Sequence, residues 1–210
     1  MSDPRRAWLV IAVVAAFAGG CGTSKWNPRH WGSVDTEVPS IDLIAVSPIR
    51  EVPPRLEKGE RPVLETHAGR AITGQIYGFL AGQTRFRFVP DLTVEATAAR
   101  IGIQDEIEAA KALAAETGAD AVLFGNVFRF QERVGTRFAA THPASVSFDL
   151  ALYSVPAGDV VWRRRFDETQ VPLSSNLFNA WMFWRAGPHW FTVRELAGLG
   201  VDRLLKTLPE

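Results

Sequence analysis

Cysteine and histidine, the side chains best suited to nucleophilic and acid–base chemistry near neutral pH, are few in this sequence, and their spacing is the first clue. The single cysteine, Cys21, follows an apolar run, Ala7–Phe17, and the small residues Ala18, Gly19 and Gly20. One thiol excludes an intrachain disulfide and every multi-cysteine metal site, and leaves acyl-acceptor or nucleophile chemistry at one position. The four histidines, His30, His67, His142 and His189, are scattered with no paired ligand spacing. The sequence contains no G-x-S-x-G elbow, P-loop, H-E-x-x-H or dinucleotide fingerprint. His142 and His189 fall in predicted loops, where functional side chains concentrate, so a site assembled in three dimensions stays open. These residue types lead us to expect a non-enzyme with no metal and no cofactor, and a scattered-site hydrolase is the remote alternative.

Two other groups suit recognition better than catalysis. Arg129, Asp149, Arg163, Arg165 and Asp167 fall on the polar side of three predicted strands. The plainer reading is a solvated sheet face held by cross-strand ion pairs. The sharper one is a partner-binding surface anchored by Arg163 and Arg165, since arginine is enriched in interface hot spots. The second group is residues 176–191 (NLFNAWMFWRAGPHWF), which carry Phe178, Trp181, Phe183, Trp184, Trp190 and Phe191. Such an arm either packs over the sheet or presents aromatics to a partner or a lipid surface. Phe178, Trp181 and Trp184 recur at intervals of about one helical turn, which makes them the candidate anchors. The same arm would serve as a pocket wall if the chain binds a small apolar or glycan ligand.

The surroundings of Cys21 explain its position. Arg5 and Arg6 precede a short apolar segment that ends in small residues, the layout of a secretory signal peptide over residues 1–20. The segment is shorter than the roughly 20 apolar residues a spanning helix needs. The stretch Ala18-Gly19-Gly20-Cys21 resembles the lipobox of bacterial lipoproteins, with Ala18 where leucine is most common. That resemblance implies cleavage before Cys21, acylation of its thiol and amine, and membrane attachment through the acyl chains. By lipoprotein sorting rules, Gly22 at the next position favours the periplasmic face of the outer membrane. Arg5-Arg6 with Trp8-Leu9 also fits part of a twin-arginine signal. Residues 21–40 then read as the acylated cysteine and a Gly-, Ser- and Pro-containing tether, whose r.m.s. reach is about 25 Å if it is flexible. Trp26 and Trp31 suit either the headgroup layer or the surface of the domain.

What must position the candidate residues is a domain spanning 41–210. The whole chain is 47% hydrophobic, enough to build a core. It carries 23 Lys+Arg against 23 Asp+Glu, which argues against nucleic-acid binding through a broad basic surface. Hydrophobic periodicity predicts short strands at Ile41–Ser47 and Phe86–Val89 and helices at Val63–Gln83 and Ile103–Thr117, the second closed by Gly118. Long strands follow at Ala121–Gln131, Ser145–Tyr153 and Val160–Glu168. Alternation puts Val122, Phe124, Asn126, Phe128 and Phe130 on one face of the first. A final helix runs over Val193–Leu208, with Thr192 and Glu195 as a capping box. The order β-α-β-α-β-β-β-α predicts an α/β (α+β) fold. Its mixed sheet of about five strands has three parallel strands and an antiparallel meander, with helices packed on one face.

That order of elements, with Gly118-Ala119-Asp120-Ala121-Val122-Leu123-Phe124-Gly125 entering the first long strand, resembles periplasmic lipoproteins with a TolB amino-terminal-like fold, the CsgG–LpoB type. The stretches Pro143–Val146 and Phe166–Ser174 look like uncharacterised lipoproteins of the same kind. The resemblance covers about residues 41–170. It implies a non-catalytic envelope assembly or regulatory factor whose partner is another envelope protein or a second copy of itself. The 132–144 connection is too short, and lacks the alternating lipid-facing pattern, to form a membrane pore.

Overall fold

The computed structural model describes residues 40–52, 64–65, 67–137, 139–170 and 190–209. The strands are β1 (Leu43–Val46), β2 (Arg50–Glu51), β3 (Arg87–Phe88), β4 (Ala121–Gln131), β5 (Val134–Gly135), β6 (Ala140–His142), β7 (Ser145–Ser154) and β8 (Asp159–Thr169). The helices are α1 (Ala68–Ala81), α2 (Asp91–Ile101), α3 (Glu106–Thr117) and α4 (Val193–Leu205).

The main sheet runs β3-β1-β4-β7-β8, with β2 also paired to β4. β1 pairs in parallel with β3 and β4, while β7 is antiparallel to both β4 and β8. The predicted mixed α+β sheet, with three parallel strands and a meander, is therefore the observed one. β2 lies outside the predicted elements, beside Asn126 and Val127. Leu64, placed in a helix by its periodicity, instead bridges Phe130 in parallel. β1, β2 and Leu64 thus line one side of β4 in succession.

The expectation that helices pack on one face is corrected. Alternate residues of the central strands feed two separate cores. Ile44, Val46, Leu123, Val127, Phe148, Leu150 and Leu152 pack with α1 and α4. Ala45, Val122, Phe124, Ala151 and Tyr153 pack with Val94 of α2 and Ala110, Leu113 and Ala114 of α3. β7 is buried on both sides, like a strand with cover on each face. On α1, Ala68, Ile72, Ile76 and Leu80 form a fully buried i, i+4 stripe. On α4, Leu196, Gly200 and Leu204 form a second buried i, i+4 stripe, and the predicted Thr192–Glu195 capping box is present. Gly200 is required by proximity, since a Cβ there would sit 2.6 Å from the Phe166 ring. Gly118 ends α3 at φ 68°, as its type predicts.

Two bulges alter the assigned faces. The β4–β7 register shifts between Val127 and Arg129, so Phe130 joins the α1–α4 core rather than lying with Val122 and Phe124. A second shift, at Leu152/Tyr153, moves Val160 to the α2–α3 side, away from Trp162 and Phe166. Ile107, in the first turn of α3, is 38% exposed.

Candidate functional site

The residues that the sequence singles out on the meander do meet. β4, β7 and β8 present Asn126, Arg129, Ser147, Asp149, Arg163, Arg165 and Asp167 on one side of the sheet, beyond the part packed on α2 and α3. Register explains this: Ser147 lies opposite Asp167, Asp149 opposite Arg165 and Ala151 opposite Arg163.

At one end, Asp105 caps α3 by accepting from the backbone N–H groups of Ile107 and Glu108. This fixes Glu106 in the first turn, where its carboxylate accepts from Asn126 Nδ2 at 2.7 Å and lies 3.8 Å from Arg163. Asp149 Oδ1 accepts from the Asn126 backbone N–H at 3.0 Å, and Oδ2 faces Arg163 at 3.5 Å. At the other end, Arg129 donates from Nε to Ser145 at 2.6 Å and from its terminal nitrogen to Asp167 at 2.5 Å. Arg165 bridges toward it, donating to Ser147 at 3.1 Å and to the other Asp167 oxygen at 3.2 Å. The guanidiniums of Arg163 and Arg165 lie 5.7 and 4.8 Å from the ring centres of Phe124 and Phe128.

Burial pushes the Asp167 carboxyl up. Hydrogen bonds from Arg129 and Ser147, with the charges of Arg129 and Arg165, outweigh that and hold it below its ordinary value. The side chains of Arg163, Arg165 and Asp167 are 47, 57 and 43% exposed, while Asp149 is 17% exposed. The result is an open, charge-balanced lattice that offers donors and acceptors to a facing surface. Arg164 is separate: it projects to the opposite side, is exposed, and donates only to the Arg163 carbonyl among the described residues.

The remaining candidates are placed as follows. Cys21, Phe178, Trp181, Trp184, His30 and His189 lie outside the described residues. The end of the aromatic segment is visible. Phe191 is fully buried in the α1–α4 core, its N–H bonded to Gln170 Oε1 at 2.7 Å, and the Trp190 carbonyl accepts from Arg133. Glu132, at the end of β4, accepts from the Val193 N–H and so ties β4 to the start of α4. His142 is exposed on β6. His67 lines an open groove of about 640 Å³ between α1 and α4 with Arg70 and Arg194. A second groove, of about 510 Å³, lies between α2, α3 and the end of β1, with Ile101, Ile103 and Leu113 on its walls. The sequence reading missed it, because α2 was not predicted; Pro90 at its start and Gly102 at its end, φ 62°, were the available signals.

No family model matches the chain, and no curated protein matches it. Among solved structures the chain is similar to the lipoprotein GNA1162 from Neisseria meningitidis, at 18% identity over 80% of this chain and 99% of that one, TM-score 0.46. It is also similar to the PelC dodecamer from Paraburkholderia phytofirmans, at 18% identity over 79% and 86%, TM-score 0.45. A third similarity is to the LpoB C-terminal domain from Salmonella enterica, at 17% identity over 62% and 84%, TM-score 0.40. The α+β assignment stands on the strand pairing described above.

Proposed function

We propose that this chain is an envelope lipoprotein, held at the periplasmic face of the outer membrane by acyl chains on Cys21. In this reading it acts as a non-catalytic adaptor, an assembly or regulatory factor. The observation that carries the adaptor reading is the lattice on β4, β7 and β8. Three arginines and three carboxylates from four elements are spread over an open sheet face, already paired with one another. Groups bonded in this way are matched to hydrogen-bonding and charge complementarity with a second surface, which give specificity and fast encounter. Arg163 and Arg165 are the recognition anchors, since they are the most exposed of the three arginines and rest on aromatic rings. Arg5–Cys21 and the lipobox resemblance supply the anchoring half of the reading. More than one acyl chain makes attachment stable where a single chain is marginal.

The test combines metabolic palmitate labelling with crosslinking in intact cells and affinity capture, applied to the native chain and to Cys21→Ser. The reading expects label and envelope-protein capture with the native chain, and loss of both in the variant. Unlabelled native chain would overturn the anchoring. Identical capture by both forms would overturn the dependence of recognition on the membrane.

A further inference from the structure

We propose that β8 is a self-association edge: two copies pair their β8 strands antiparallel about Phe166 and join their sheets into one. This goes beyond the adaptor reading, since it identifies a second copy of the chain as a partner and does not require Cys21.

The two edges of the main sheet differ. β3 is two residues long, too short to template another strand, whereas β8 runs from Asp159 to Thr169. Its inner side pairs along its length with β7. Its outer side makes no main-chain hydrogen bond with any described residue outside its own strand pairing. A long edge with unpaired N–H and C=O groups is a template for another strand, and proteins usually protect such edges with charge. β8 carries charge in an order that does more than protect: Arg163-Arg164-Arg165-Phe166-Asp167-Glu168-Thr169.

Antiparallel pairing of two identical strands is symmetric about one residue, which becomes the two-fold axis. With Phe166 at that axis, Arg165 faces Asp167 of the partner and Arg164 faces Glu168 of the partner, and symmetry repeats both pairs. Four opposite-charge pairs form. Each stays on one side of the sheet: Arg165 and Asp167 on the lattice side, Arg164 and Glu168 on the α4 side. Pairing about Arg164 instead sets Arg163 against Arg165 and Arg164 against itself, which is repulsive. The charges therefore favour one register and oppose the other, which is how register is specified at an edge. The pairing also gives Arg164 a carboxylate, which it lacks among the described residues of its own chain. It would also place two arginine–carboxylate lattices side by side, doubling the face read as the recognition surface.

The test uses the purified full-length chain in detergent and two charge variants, Arg164→Glu/Arg165→Glu and Asp167→Arg/Glu168→Arg, checked for fold by circular dichroism. The native chain should show a concentration-dependent dimer by sedimentation, with amides of 159–169 losing exchange protection on dilution. Each variant replaces opposite-charge pairs with like-charge ones and should self-associate at least about tenfold more weakly. Mixing the two variants restores all four pairs and should restore the dimer. A native chain that stays monomeric, variants that associate as well as the native chain, or a mixture that stays monomeric would each overturn the proposal. The dilution experiment on the native chain decides the matter even if a variant fails to fold. Envelope-protein capture by a chain whose β8 amides never gain protection would refute this pairing and leave the adaptor reading standing.

Discussion

The two sides of the β7–β8 pair are built from alternating residues of the same strands, yet they are covered in opposite ways. On one side Val146, Phe148, Leu150, Leu152, Trp162 and Phe166 disappear beneath α1 and α4. On the other, Ser147, Asp149, Arg163, Arg165 and Asp167 are covered mainly by one another, with guanidiniums lying over Phe124 and Phe128. The first side is held by removing apolar surface from water, a non-directional effect that demands close fit. The second is held by directional contacts that solvent weakens, so it contributes little to stability and remains available to a partner. A sheet can thus keep its rigidity on one face and its chemistry on the other.

The comparison breaks most visibly on the buried side. Replacing Phe148 by Ala leaves a cavity between β7 and Phe166, whose ring centre lies 5.5 Å away, and should cost about 3–5 kcal/mol in denaturant unfolding. Gly200→Ala pushes a methyl group into the Phe166 ring and should cost about 1–3 kcal/mol by overpacking. On the charged side the effects shrink. Arg163→Glu with Arg165→Glu turns three attractive contacts, to Glu106, Asp149 and Asp167, repulsive and should cost about 1–2 kcal/mol while leaving circular dichroism native; co-purification of partners should nonetheless fall.

Asp167→Asn should change stability least, by about 1 kcal/mol or less at neutral pH, because its contacts are partly exposed. Its signature is pH dependence. The folded carboxyl titrates below its unfolded value, so its contribution is full above the ordinary aspartate pKa of about 4 and is lost as pH falls through the lower folded value. Native and Asp167→Asn unfolding midpoints, distinct at pH 7, should therefore converge in acid. A constant offset would show that the lattice does not hold this charge.

Much of this architecture is written in local signals. The alternation in Ser145–Tyr153, the capping box at Thr192 and the glycine at 118 each act within a few residues, and each is found where the sequence places it. The lattice was legible for the same reason, since period-two alternation puts Asp149, Arg163, Arg165 and Asp167 together once β7 and β8 pair. What escaped depends on partners far along the chain. α2 buries only Val94 and Thr97 and leaves Leu92 80% exposed, so it shows no apolar stripe of helical period. The bulge after Val127 is set by pairing with β7, and no local residue pattern reveals that Phe130 changes face. The expected single helical layer failed for a related reason: the residues feeding the second core, Ala45, Val122 and Ala151, are interleaved with those of the first. Glu106 and Asn126 were missed as lattice members because their contact joins a helix start to the middle of a strand.

The central claim is that the open charged face of the meander recognises a partner at the envelope. The most direct measurement places a photoreactive residue at Arg163 and, as a control, at Leu92 on α2, which is 80% exposed. Both are irradiated in intact cells, in the native background and with Cys21→Ser. The account predicts discrete adducts between position 163 and an envelope protein other than this chain that disappear with Cys21→Ser, and none from position 92. The same adducts from both positions, or none from position 163, would contradict it.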